Sequence, residues 1–188
     1  MTNTTAKTVP SRFRTLDLVY IAAGAALIAV CSWISIPTSI PFTMQTFAVF
    51  LLMSLLGGKR GTLSVLVYLL LGAAGLPVFA GFTGGIGILL GNTGGYLAGF
   101  LLLGLIYMII TKFFGERLLT ETAALLIGLA VCYAFGTAWF LLVYTKANGA
   151  VGLGTVLGWC VLPFILPDLL KLALALTISK RIVPFIKK

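Results

Sequence analysis

The sequence predicts an all-α integral membrane protein: six transmembrane helices forming one membrane-embedded domain over residues 1–188, with both termini in the cytoplasm. Three observations predict it. Of the 188 residues, 60% are hydrophobic and 9% charged, far from the roughly 25% charged of soluble domains. Apolar stretches recur at lengths near the ~20 residues a helix needs to cross a hydrocarbon core about 30 Å thick. The basic residues alternate with those stretches so that an even number of spans keeps nearly all of them on one face.

The first stretch, residues 16–36, follows "KTVPSRFRTLD". A positive start ahead of an apolar run also marks a signal peptide. This run is longer than the roughly 7–15 apolar residues of such a peptide and more spans follow, so a retained first helix is expected. The second, residues 42–56, is short and flanked by Pro37 and Pro41. It reads as a tilted span, a re-entrant segment or a helix whose ends are held by its neighbours. The remaining spans are expected over residues 62–80, 96–111, 122–144 and 156–179.

Lys7, Arg12 and Arg14 precede the first span, and Lys59 and Arg60 separate the second from the third. Lys112 and Arg117 separate the fourth from the fifth, and Lys180, Arg181, Lys187 and Lys188 follow the sixth. Of the 13 basic residues only Lys146 and Lys171 fall elsewhere. Basic residues concentrate in cytoplasmic loops, so the six-span count and the orientation support each other. The net charge of +9 is then mainly a topology signal, and nucleic acid is not an expected partner.

Several chemistries are excluded. The chain has no histidine, which removes the commonest general base and metal ligand. Cys31, Cys132 and Cys160 lie in or beside separate spans without C-x-x-C spacing and read as small buried hydrophobes; no metal site is expected. The stretch "LLGGKRGT" lacks the first glycine of a phosphate-binding loop, so the chain does not hydrolyse ATP by such a loop.

The outer loops carry the binding signals. Gly81, Gly84, Gly85, Gly87, Gly91, Gly94 and Gly95 fall within fifteen residues. That density disfavours helix and suits an irregular lid or pocket wall whose backbone approaches a ligand closely. In "SWISIPTSIPFTMQTF", Thr43, Gln45 and Thr46 offer uncharged hydrogen-bonding groups beside two stiffening prolines. With Asn92 they suit a neutral polar ligand. Phe79, Phe82 and Tyr96 bracket the glycine-rich loop and are candidates to flank a ligand ring. Trp33 and Trp159 fall at outer helix ends, where indoles gather regardless of ligand.

Asp168 and Lys171 interrupt the last span. Counting back from Lys180 places them about 18 and about 13 Å from its cytoplasmic end, where ionisable groups are costly and mark functional sites. Their i, i+3 spacing lets each neutralise the other, and the lysine leans toward the outer end of the helix. In the first span, Ala22 and Ala26, with Ala25 and Ala29, repeat a small residue every fourth position around Gly24. Such a face accepts a closely packed helix, from this chain or from a partner.

Three stretches, "SIPTSIPFTMQTFAV", "GLPVFAGFTGGIGILLGNTGGYLAGF" and "PDLLKLALA", occurring in this order between six spans, resemble the BioY family, the biotin-binding S components of energy-coupling factor (ECF) transporters. The resemblance covers nearly the whole chain. One departure is "GNTGGY" where "GPTGGY" is common in the family, which marks Asn92 as a variant position.

The resemblance implies a six-helix plasma-membrane protein that captures biotin from outside without a cofactor. It further implies a complex with a transmembrane coupling protein and two cytoplasmic ATPase subunits. Under it, Lys171 is expected to take the valerate carboxylate with Asp168 positioning it. Thr43, Gln45, Asn92, Tyr96, Phe79, Phe82, Gly84 and Gly85 are expected around the ligand. Ala22, Ala26, Ala25 and Ala29 become the docking face for the coupling protein.

The alternatives are a free-standing carrier for a small anionic substrate using the same Asp–Lys pair, an S component for another vitamin, and a small membrane enzyme. Against the carrier, span three has no counterpart to the polar pair. Against the enzyme, Asp168 is the only carboxylate deep inside a predicted span, Asp17 lying at the very start of the first.

Overall fold

The computed structural model describes residues 14–37 and 41–186. Lys7, Arg12, Lys187 and Lys188, and residues 38–40, lie outside them. Helix α1 (Thr15–Trp33) starts where the Arg14 N–H donates to Asp17 Oδ2 at 3.0 Å. A two-residue antiparallel hairpin, β1 (Ser35–Ile36) and β2 (Phe42–Thr43), leads into α2 (Gln45–Ala73). A 3₁₀ turn (Ala80–Phe82) and the short α3 (Ile86–Leu90) precede α4 (Gly94–Phe114) and α5 (Leu118–Asn148). The chain closes with α6 (Leu153–Cys160) and α7 (Leu162–Ile186).

Helix α2 is not straight. Gly57 adopts φ 80°, ψ 164°, a conformation open to glycine and strained for other residues. A continuous helix would hold Gln45 and Tyr68 about 34 Å apart, yet Gln45 Nε2 donates to Tyr68 Oη at 2.5 Å. The two arms, residues 45–56 and 58–73, therefore fold back on each other. They are short, about 18 and about 24 Å, and lie inside the bundle: 67% of the most apolar window of α2 is buried, against 28–39% in the other long helices. Short arms are tolerated there because surrounding helices, not lipid, satisfy their ends.

Among the described residues, five helical stretches are long and apolar enough to cross a membrane, with α2 counted once and α6 and α7 counted together. The protein is thus a multi-pass membrane protein. Several expected boundaries move. Phe42 and Thr43 are strand, not the start of a span. The expected span over 62–80 stops at Ala73, where Gly75 takes φ +99° and Pro77 follows, so the chain leaves the helix. The span over 156–179 breaks at Val161 (φ −124°, ψ −57°). The glycine-rich stretch is less irregular than expected: Ile86–Leu90 is helical, and Gly94 and Gly95 open α4.

Glycines let α4 and α5 meet closely. A Cβ on Gly99 would stand 3.2 Å from Cys132 Cα, and one on Gly128 would stand 3.2 Å from Leu103 Cα. Such contacts give dispersion energy where lipid supplies no hydrophobic drive. Side-chain bonds tie one end of the bundle. Arg60 pairs with Asp17 at 2.5 Å, Ser54 donates to Glu121 at 2.8 Å, and Ser179 donates to Ser54 at 2.9 Å. The α2 turn, the α4–α5 turn, the start of α1 and the end of α7, which carry most of the basic residues, are thereby gathered at the same end.

Candidate functional site

At the opposite end a cavity of about 220 Å³ opens between α2, α4, α5 and α7. Its wall is mostly apolar, with Phe79, Leu97, Phe100, Leu129 and Phe164 among the contributors, and its polar groups concentrate at Asp168 and Lys171. Both are buried, at 2% and 7% exposure. Pro167 puts Asp168 just after a position that cannot donate to the preceding turn of α7.

The pair is densely bonded. Lys171 Nζ donates to Asp168 Oδ1 at 2.9 Å, to the Thr43 carbonyl at 2.7 Å and to Thr46 Oγ1 at 3.1 Å. It also lies 4.2 Å from the Phe42 ring centroid, a distance at which the ring's negative face adds attraction. Asp168 Oδ1 accepts a second bond, from Thr46 Oγ1 at 2.8 Å, and Oδ2 accepts from Tyr133 Oη at 2.6 Å. The net charge is zero and each charge has several hydrogen-bond partners, the condition for two charges to persist away from water.

The loops at this end of the bundle are fastened over the cavity. Trp33 Nε1 donates to the Pro77 carbonyl at 2.9 Å, Ser32 Oγ to the Val78 carbonyl at 2.5 Å, and Trp139 Nε1 to the Gly91 carbonyl at 3.0 Å. Phe79 is 1% exposed. Its ring lies where a Cβ on Gly72 would stand and packs edge-on to Tyr68, centroids 5.5 Å apart.

Of the residues singled out from sequence, Lys171, Asp168, Gln45, Thr43, Tyr96 and Phe79 line the cavity. Gln45 is held rather than free: Oε1 accepts from Thr43 Oγ1 at 3.0 Å while Nε2 engages Tyr68. Asn92, Phe82, Gly84 and Gly85 are not part of the wall. Asn92 is exposed. Phe82 takes a left-handed φ of 57° that turns its ring outward onto Trp33, centroids 5.0 Å apart. Gly84 packs against the carbonyl of Leu76, and Gly85 donates its N–H to the Gly72 carbonyl at 2.7 Å. These two glycines shape the link between the 3₁₀ turn and α3 and are not among the residues that line the cavity.

The alanine face of α1 divides. Ala25 and Ala29 are buried in the core at 2% and 7% exposure, beside Gly24, which packs on Ser64 and Leu52. Ala22 and Ala26 are exposed. Tyr133, Thr93, Phe164, Cys132 and Cys160 join the wall without having been singled out as ligand contacts. For Tyr133 a signal existed: it lies on the inward stripe Leu129, Cys132, Gly136, Thr137 of α5, spaced i, i+3, i+4. Among the described residues no group of three or more His, Cys, Asp or Glu side chains is placed to hold a metal ion.

The family model described as the BioY family matches residues 2–188. The chain belongs to the BioY family. Similar relatives include the biotin transporter BioY of Thermotoga maritima, 42% identical over 167 residues, covering 88% of this chain and 95% of the relative. The probable biotin transporter BioY of Pyrococcus horikoshii is 41% identical over 172 residues, with the same coverage of 88% and 95%. A crystal structure of the S-component for biotin from an ECF-type ABC transporter matches this BioY-family fold with a TM-score of 0.78 at 28% identity. It covers 91% of this chain and 94% of that one.

Proposed function

We propose that the protein is the substrate-binding subunit of an ATP-driven ECF importer, which captures biotin at the outer face of the plasma membrane. The observation that carries this reading is the neutral, buried Asp168–Lys171 pair at the polar end of an otherwise apolar cavity, in a chain of the BioY family. In this reading the ATP-hydrolysing subunits are separate chains. Purified protein is expected to bind biotin in stoichiometric amount by titration calorimetry. Absence of binding by folded protein overturns the assignment.

The same reading has six crossings, with the two arms of α2 counted separately, and both termini in the cytoplasm. The gathering of basic residues at the end away from the cavity supports that orientation. The coupling protein docks on the exposed part of the α1 alanine face. Ala22→Trp or Ala26→Trp is expected to abolish ATP-driven uptake in cells while biotin binding by the isolated protein stays intact. Unchanged uptake in both variants removes the docking role. Ala25→Trp, by contrast, is expected to reduce the yield of folded protein, because that side chain faces the core.

Sequence reasoning assigned the ligand carboxylate to Lys171. All three ammonium hydrogens already have acceptors, so direct contact requires the ligand to displace the Thr43 carbonyl or the Thr46 hydroxyl. We therefore place the carboxylate toward the cavity mouth and give Lys171 the task of neutralising Asp168 and holding β2. Wild type is then expected to bind biotin and biotin carboxamide within a few-fold of each other. A preference for the acid of about ten- to a hundredfold, lost in Lys171→Met, is the opposite result and restores the direct contact.

A further inference from the structure

Among the described residues the most exposed large apolar side chains are Leu119, Phe185, Phe113 and Phe114, at 72–84% exposure. All four stand at the basic end of the bundle, away from the cavity. Phe113 and Phe114 close α4, Leu119 opens α5, and Phe185 lies in the last turn of α7. Exposed basic side chains flank them: Lys112 and Arg117 at the α4–α5 turn, Lys180 and Arg181 on α7.

Helix length sets their depth. Helix α4 has 21 residues, about 31 Å, enough to cross the roughly 30 Å hydrocarbon core and no more. Its closing phenylalanines therefore stand where acyl chains give way to headgroups, the layer that amphipathic aromatic and basic side chains anchor. Helix α7 has 25 residues, about 37 Å, so its last turns run through the same layer. Of the nine basic side chains among the described residues, all but Lys146 and Lys171 stand at this end, against Asp17, Glu116 and Glu121. Apolar side chains alone would suit any bilayer. Joined to that excess of positive charge, they suit one with anionic headgroups.

We propose that this rim is a binding surface for anionic phospholipid: the four apolar side chains enter the acyl boundary, and the adjacent Lys and Arg groups meet the headgroup phosphodiesters. A soluble protein partner fits less well, because the apolar groups stand level with the lipid and do not project beyond it. That the leaflet is the cytoplasmic one rests on the orientation proposed above. The lipid chemistry depends neither on that orientation nor on biotin.

The test measures the lipid retained by detergent-purified protein after incubation with equal amounts of phosphatidylglycerol and phosphatidylcholine of identical acyl chains. Folding is checked by size-exclusion chromatography. Wild type is expected to prefer phosphatidylglycerol by about tenfold or more, since one basic group near an anionic surface contributes about fivefold. Lys112→Gln/Arg117→Gln and Lys180→Gln/Arg181→Gln are each expected to lower that preference to a few-fold. Phe113→Ser/Phe114→Ser removes apolar anchors without touching charge, and is expected to reduce retention of both lipids while leaving the preference intact.

Equal retention of the two lipids by wild type overturns the proposal. So does an unchanged preference in both folded basic variants. Should those variants keep the preference and lose ATP-driven uptake, the rim receives a protein and not a lipid. Biotin does not enter the lipid measurement, so failure of the biotin reading and failure of this one are separate results.

Discussion

Asp168→Ala is expected to destabilise the protein by about 3–5 kcal/mol, the cost of leaving a buried charge without its partner. The Lys171 ammonium would keep the Thr43 carbonyl and Thr46 hydroxyl but lose the Asp168 carboxylate. At 7% exposure it cannot recover water as a substitute. The double variant Asp168→Leu/Lys171→Met removes both charges and replaces them with apolar volume. It is expected to regain most of the stability while losing biotin. Thermal unfolding of wild type, Asp168→Ala and the double variant in one detergent measures this. If the double variant is no more stable than Asp168→Ala, burial of the unpaired charge is not the cause.

A second large effect is expected at Gly72, which lies far in sequence from the ion pair. A Cβ at that position would stand within the ring of Phe79, and that ring is both cavity wall and packing partner of Tyr68. Gly72→Val must push Phe79 into the cavity or away from Tyr68. Overpacking of this kind costs about 1–3 kcal/mol, and either movement is expected to remove most biotin binding. Gly87→Ala is the control: a Cβ there meets nothing within 4 Å, so stability should stay within about 0.5 kcal/mol. Equal binding by Gly72→Val and wild type would show that the position of Phe79 does not matter to the ligand.

Much of this architecture is legible without coordinates because the bilayer restricts the possibilities. Long apolar runs must be helical, and an ionisable pair inside one of them must be buried and bonded, as Asp168 and Lys171 are. Harder to read is anything that depends on helix rotation. The four alanines of α1 share a spacing, but only the contact of Gly24 with Ser64 and Leu52 fixes which two face inward. Local backbone conformation is equally hidden. Phe82 and Phe79 look equivalent around the glycine-rich stretch until the positive φ at Phe82 sends its ring outward. The spacing of α5 turns Tyr133 inward, but its 2.6 Å bond to Asp168 becomes visible only once α5 and α7 are placed side by side.

How the protein is made follows from the reversal at Gly57. Arms of about 18 and about 24 Å fall short of the roughly 30 Å hydrocarbon core, so neither is an adequate stop signal for the insertion machinery by itself. Lys59 and Arg60, next to the turn, oppose passage of that turn across the membrane. The two arms are therefore expected to enter the bilayer together as a helical hairpin, enclosed by α1 and the helices that follow. On that expectation the central element of the bundle depends on its neighbours for a stable place in the membrane.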